Sequence, residues 1–236
     1  MGKEVITVSS SDDFASSLRY IAGCIPDAIF GQKEKRNFVK IPVNVKNVGR
    51  LVDCIADITI ADYKSHFIQS KIKITIEDEV SRHAFIRALC SFDRTTDKVI
   101  AKRLIKLTPY FLLDSFFEFM TGELKKRWQE VIDLANDNAP HLMCEGTFGE
   151  LLRFLISNLE SRTDEVHIQD CKIMNAPANI CVRDDLPTDV RLVSQLISIA
   201  PKKIFLHDKD SSKITDFIQN VFGGRVIDIS QQSMIK

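Results

Sequence analysis

"SIAPKKIFLHDKDSSKITDFIQNVFGGRVIDIS", residues 198–230, is the stretch on which the reading of the fold turns. "KKIFLH" has the texture of a strand, after which the period changes: Ile214, Phe217, Ile218, Val221 and Phe222 fall on one helical face. Ser211 or Ser212 can cap that helix, Gly223 supplies a left-handed stop, and "RVIDI" returns as a strand. Two strands joined by about a dozen helical residues are most simply parallel, with a right-handed crossover. Such units often surround a ligand. Here, however, the β-α turn "HDKDSSK" places Asp208 and Asp210 where a phosphate site would want glycines and a lysine. Gly223 and Gly224 come after the helix, at the wrong end to cradle a phosphate, and neither a dinucleotide fingerprint nor a P-loop is present. The unit reads as architecture.

Upstream of it, "DDLPTDVRLVSQLISIAP" predicts a helix starting near Pro187, with Val190, Val193, Leu196, Ile197 and Ala200 on one side and Pro201 as its stop. "EVHIQDC" and "NICVR" read as strands separated by the turn-like "KIMNAPA". "TFGE", Thr147 to Glu150, is a capping box that opens an apolar helix through "LLRFLISNL". Arg153 interrupts that helix, and is expected at a rim or paired with Asp133 or Asp137.

The middle of the chain reads as helical. Thr75 opens "TIEDEVSRHAFIRALCSF", with acidic residues crowding the positive end of the helix dipole, and a second helix follows from Thr96. Thr108-Pro109 then supplies an N-cap and a first-turn proline for a long helix. Leu113, Phe117, Met120, Leu124, Trp128, Val131 and Ala135 form its stripe, which predicts packing against neighbouring helices rather than a cofactor box.

At the N-terminal end, Glu4 to Val8 is strand-prone. Ser11 or Asp12 starts a helix carrying Phe14, Leu18, Ile21, Ile25 and Ile29, with Gly31 at its end. "NFVKIPVNV" reads as a strand ended or edged by Pro42, and Asn47 caps a helix with Val48, Leu51, Val52 and Ile55. The expected fold is therefore α+β: an N-terminal β-α-β-α portion, a central helical layer, and a small mixed C-terminal sheet with a β-α-β unit. Residues 1–72 and 73–236 are the expected portions, packed as two modules or as one body.

Composition narrows the function classes. The chain has 236 residues, 44% of them hydrophobic, which is enough for a substantial core. Its 32 basic and 32 acidic side chains cancel, so nothing draws the whole molecule to nucleic acid or anionic lipid. The opening lacks a basic stretch followed by an apolar run, and Ile6 stands where a myristoylation motif wants Ser or Thr; a soluble, unexported, cytoplasmic protein is expected. The six cysteines, Cys24, Cys54, Cys90, Cys144, Cys171 and Cys181, include no Cys-x-x-Cys pair. That argues against a zinc motif and for a reducing compartment, with Cys24, Cys54 and Cys90 as small buried hydrophobes.

Candidate chemistry is sparse. His167 and His207 lie on or at the end of C-terminal strands, and neighbouring strands would let them approach Asp208 or Asp164 in a metal or proton-transfer cluster. No helical His-x-x-x-His or Glu-x-x-His pair supports such a site. No serine has a nucleophile-elbow context, no cysteine is flanked by a pattern that would lower its pKa, and Asp184-Asp185 is explained by loop solvation and capping. Lys98, Lys102, Arg103 and Lys106, with Lys125, Lys126 and Arg127 on the next helix, could form a positive face for RNA or DNA, although no stacking aromatics interleave them.

Residues 108–230 taken together resemble the YtxC-like proteins linked to sporulation in endospore-forming bacteria. The phenylalanine-rich "PYFLLDSFFEFMTGELKKRWQEVIDLAND", then "GELLRFLISNLESRTDEVHI", "LISIAPKKIFLH" and "IQNVFGGRVIDI" carry the resemblance by their order. The chain departs from the family in Met120, where an Arg is usual, and in the turn "SNLESRTDE". The resemblance implies a sporulation-associated protein and carries over no catalytic, cofactor or metal residue. The leading expectation is a non-enzymatic interaction or regulatory protein with a protein partner, no cofactor and no membrane. The alternatives are a nucleic-acid-binding protein using the basic helical face and a metal-dependent enzyme using the C-terminal histidines.

Overall fold

The computed structural model describes residues 4–138, 147–175, 186–207 and 213–229. In chain order the strands are β1 (Val5–Ser10), β2 (Ile29–Lys33), β3 (Arg36–Pro42), β4 (Tyr110–Leu112), β5 (Glu165–Gln169), β6 (Lys172–Ile173), β7 (Lys203–Leu206) and β8 (Val226–Asp228). The helices are α1 (Ala15–Cys24), α2 (Val45–Ile58), α3 (Lys64–Gln69), α4 (Glu79–Ser91), α5 (Arg94–Leu104), α6 (Gly122–Asp137), α7 (Thr147–Ser157), α8 (Thr188–Ile199) and α9 (Lys213–Phe222). Two mixed four-stranded sheets and these helices make an α+β protein, as the sequence predicts. No helix among the described residues is long and apolar enough to cross a membrane.

The chain forms two compact units, residues 1–70 with 93–131, and residues 71–92 with 132–236. It leaves the first unit after Ser70 and returns to it at Asp93.

In the first unit the strand order is β2-β3-β1-β4, with β1–β3 and β2–β3 antiparallel and β1–β4 parallel. Alternation sets the inner face: Ile6, Val8, Val39, Ile41 and Phe111 are buried, with α1 packed against the sheet and α2 against α1 and α5. Leu18 and Ile21 of α1 and Leu51, Ile55 and Ile58 of α2 complete this core; each such side chain contributes about 1.5–3 kcal/mol when fully buried.

Two strands here depart from expectation. Ile29 and Gly31, expected at the end of the first helix, lie in β2, because Pro26 forces Ile25 into extended backbone (ψ 121°) and Asp27 turns the chain with φ 60°. Thr108-Pro109 opens not a helix but β4, whose approach is pinned by the Thr7 amide donating to the Pro109 carbonyl at 2.8 Å. Asn44, three residues before the expected Asn47, caps α2: its Oδ1 accepts from the Asn47 amide at 2.8 Å.

Between α2 and α3 the helix widens into a π segment, Thr59–Tyr63, and a second π segment, Phe116–Met120, precedes α6. The two meet through Tyr63 and Phe117, whose rings stack at 4.3 Å with planes 7° apart, while the Tyr63 hydroxyl donates to the Phe117 carbonyl at 3.1 Å.

In the second unit the order is β6-β5-β7-β8. β5–β7 and β7–β8 are parallel and β6 is antiparallel to β5, so the unit over residues 203–228 is the parallel β-α-β expected. Gly223 has φ +50°, the left-handed stop read from the sequence; the proposed Ser211 or Ser212 cap and the strand "NICVR" lie outside the described residues. α4 packs on α8 and α7, and α9 on α7. α4 begins at Glu79, later than the Thr75 expected, because the Asp78 carboxylate accepts from the Ser81 amide at 2.7 Å. Arg153 pairs with neither Asp133 nor Asp137 through its Nε, which donates to the Asn220 carbonyl at 2.8 Å.

Candidate functional site

The register of the first sheet decides what its outer face carries. Thr7 stands opposite Lys40 on one side and Tyr110 on the other, and Lys40 stands opposite Ile29. One step along, Ser9 stands between Phe38 and Leu112, and Phe38 opposite Gly31. Since period two puts alternate residues on one side, this face also holds Val5, Lys33 and Arg36. It is open: Tyr110 is 78% exposed, Ile29 65% and Leu112 47%.

The absent side chain of Gly31 makes room for Phe38. A Cβ on Gly31 would lie 2.5 Å from Cζ of the Phe38 ring, so the ring lies across the glycine. Lys40 Nζ stands 5.5 Å from the centre of the same ring, a cation–π contact. Arg36 is held by Asp114 at 2.5 Å, and Asp114 also accepts from the Ser11 amide at 3.1 Å. Lys33 and Lys40 enter no ion pair among the described residues. Aromatic rings and lysines thus share one face, with no carboxylate among the strand residues that point to it.

The basic helical residues read from the sequence are arranged differently. Lys98 donates to Asp57 at 2.8 Å, Lys102 pairs with Asp53, and Arg103 makes two bonds to Glu123 at 2.6 and 2.7 Å. Lys125 reaches Glu118 at 3.6 Å, and Arg127 joins Asp93 at 3.2 Å and Asp97 at 3.4 Å. These pairs tie α2, α5 and α6 to one another and to nearby turns. The charge of these five is countered where it stands, which weakens them as phosphate contacts, while Lys106 and Lys126 enter no ion pair among the described residues.

His167 and His207 do come together. β5 and β7 are neighbours, His167 is in register with Phe205, and the His207 amide donates to the Ile168 carbonyl at 3.1 Å. His167 Nδ1 lies 2.8 Å from His207 Nε2, and the His167 ring stacks on Phe205 at 4.8 Å with planes 14° apart. Glu165 Oε1 lies 3.8 Å from His167 Nε2. Asp164 takes no part: it is bonded to Lys202 at 2.8 Å, and that bond and charge hold its carboxyl below its ordinary pKa. Asp208 lies outside the described residues. Among the described residues no group of three or more His, Cys, Asp or Glu could hold a metal ion. The pair can share a proton through one hydrogen bond.

Sequence reasoning missed one interaction between thiols. Cys54 and Cys90 are buried, as expected, but Cys24 is only half-buried, and the influence of the Cys54 thiol brings its pKa down to about 7. The residues are thirty positions apart, so no local pattern could signal that influence.

Residues 168–227 match the model of the YtxC-like family. The matched span runs from the end of β5 through β8, includes His207, and bears out the resemblance over about a quarter of the chain. No curated protein and no solved structure matched the chain.

Proposed function

We propose that this chain, YtxC-like over residues 168–227, is a cytoplasmic, non-enzymatic, sporulation-associated protein that binds single-stranded nucleic acid on the open face of its first sheet. The observation that supports this reading is the combination of exposed Tyr110 and half-buried Phe38 with Lys33 and Lys40, which enter no ion pair among the described residues, on a face without strand carboxylates. Bases stack on aromatic rings regardless of sequence, and lysines beside them take the phosphates. Tyr110 and Lys40 lie in one cross-strand row with Thr7 between them, so they are about 10 Å apart at two strand spacings, within reach of one short oligonucleotide. This moves the nucleic-acid reading from the helices to the sheet.

Fluorescence anisotropy with labelled single-stranded RNA and DNA at two salt concentrations tests it. The wild-type chain should bind, more weakly at higher salt. Tyr110→Ala should cost about 1–3 kcal/mol of binding, and Lys40→Glu should weaken binding and flatten its salt dependence. Lys102→Glu should leave affinity unchanged. Absence of binding by the wild-type chain rejects the proposal, and loss in Lys102→Glu with none in Lys40→Glu returns the surface to the helices.

A further inference from the structure

β1 runs through the middle of the open face, and it carries two hydroxyls there. Ile6, Val8 and Ser10 are buried, so the alternate residues Thr7 and Ser9 point outward. Both are half-buried, and neither hydroxyl has a hydrogen-bond partner among the described residues. Each can donate one hydrogen bond and accept two. The centre of the face thus holds unused polar capacity among rings and lysines.

The register says what would meet these hydroxyls. Thr7 lies between Tyr110 and Lys40, one strand spacing of about 4.8 Å from each, and its own amide is fixed to the Pro109 carbonyl at 2.8 Å. In a nucleotide the sugar stands between base and phosphate. A base stacked on Tyr110, with its phosphate at Lys40, puts the sugar over Thr7. Ser9 lies two residues on, about 7 Å along the strand, and the Phe38 ring leans across Gly31 and away from it. We propose that the strand bound on this face is RNA rather than DNA, and that Thr7 selects it through a hydrogen bond to a ribose 2′-hydroxyl, with Ser9 open to the neighbouring sugar. This rests on the reading of the face as a single-stranded nucleic-acid surface and names the substrate class of that surface.

The discrimination has one source. Stacking on Tyr110 and the charge of Lys40 act alike on both kinds of strand, because base and phosphate are common to them. The 2′-hydroxyl is the group that differs, and it both donates and accepts, so the bond to Thr7 forms in either direction. Deoxyribose offers nothing in its place. A DNA strand would cover the Thr7 hydroxyl and leave it without the water it had bonded, which costs affinity.

The experiment measures binding of the full chain to fluorescein-labelled oligouridylate and to oligodeoxyuridylate of the same length, a pair that differs at the 2′ position alone. The wild-type chain should bind the RNA about 2- to 10-fold more tightly, the worth of one neutral hydrogen bond. Thr7→Val keeps the branched shape and removes the hydroxyl; it should lower RNA affinity by that factor, leave DNA affinity unchanged and so abolish the preference. Thr7→Ser should retain it. Equal wild-type affinity for the two oligonucleotides overturns the inference and leaves the surface standing. No affinity for either removes the surface, and the inference with it. A preference that survives in Thr7→Val overturns the role given to Thr7. The wild-type comparison needs no variant, so misfolding of Thr7→Val, read by circular dichroism, would still leave the RNA preference tested.

Discussion

Lys64 Nζ stands 2.8 Å from Oδ2 of Asp97, and each residue is only 1% exposed. The same carboxylate oxygen accepts from Trp128 Nε1 at 2.8 Å, and Arg127 Nε lies 3.4 Å from the other oxygen. Three segments of the first unit, α3, α5 and α6, therefore converge on one buried carboxylate. Removing one partner of a buried ion pair leaves the other charge uncompensated, which is far costlier than replacing both.

Asp97→Ala should accordingly destabilise the first unit by about 3–5 kcal/mol. A double replacement, Lys64→Met with Asp97→Leu, should cost less than Asp97→Ala alone, because no charge is then stranded. Denaturant unfolding followed by Trp128 fluorescence reads both. A loss below about 1 kcal/mol for Asp97→Ala would show the pair to be no more than a surface bridge in strength.

Gly31→Ala tests the arrangement of the open face without touching a charge. The new Cβ claims the position of the Phe38 ring, which must swing aside. The obstacle is the far end of a mobile side chain, so the stability change should stay within about 1 kcal/mol. The Phe38 ring resonances should shift and single-stranded nucleic-acid affinity should fall; unmoved resonances would place the ring elsewhere.

The histidine pair makes a tautomer prediction. Glu165 lies toward His167 Nε2, so in the unprotonated pair that nitrogen should carry the hydrogen, leaving Nδ1 to accept from His207 Nε2–H. Long-range proton–nitrogen spectra should show both rings protonated at Nε2. Protonation of His167 at Nδ1 would reverse the direction of the shared bond.

The C-terminal β-α-β unit was legible because its period changes cleanly and Gly223 takes the left-handed conformation its position demands. β2 was hidden because Ile29 continues the apolar spacing of α1; Pro26 and Asp27 were the stop signals that should have outweighed it. β4 has three residues, too few to show alternation, and Thr108-Pro109 before it suits a helix start equally well. The histidines could be placed in advance since strand ends locate them. The open face could not: which residues share it depends on register across four strands, two of which were unread. The ion pairs that counter the basic helices are likewise products of tertiary packing, to which local spacing is blind.

The return of residues 93–131 to the first unit sets an order of events during synthesis. Once Val131 has emerged from the ribosome, the first unit has all its chain and can close. α4, already made, has no such opportunity: its Phe85, Ile86 and Leu89 are buried in the finished protein, where α4 packs on α7 and α8, and α8 begins about a hundred residues later. At ~5–20 residues per second that is a wait of several seconds for an apolar helix whose partners do not yet exist. Nascent chains stalled between residues 131 and 187 should therefore expose α4 and recruit chaperones, whereas chains that have emerged past α9 should release them.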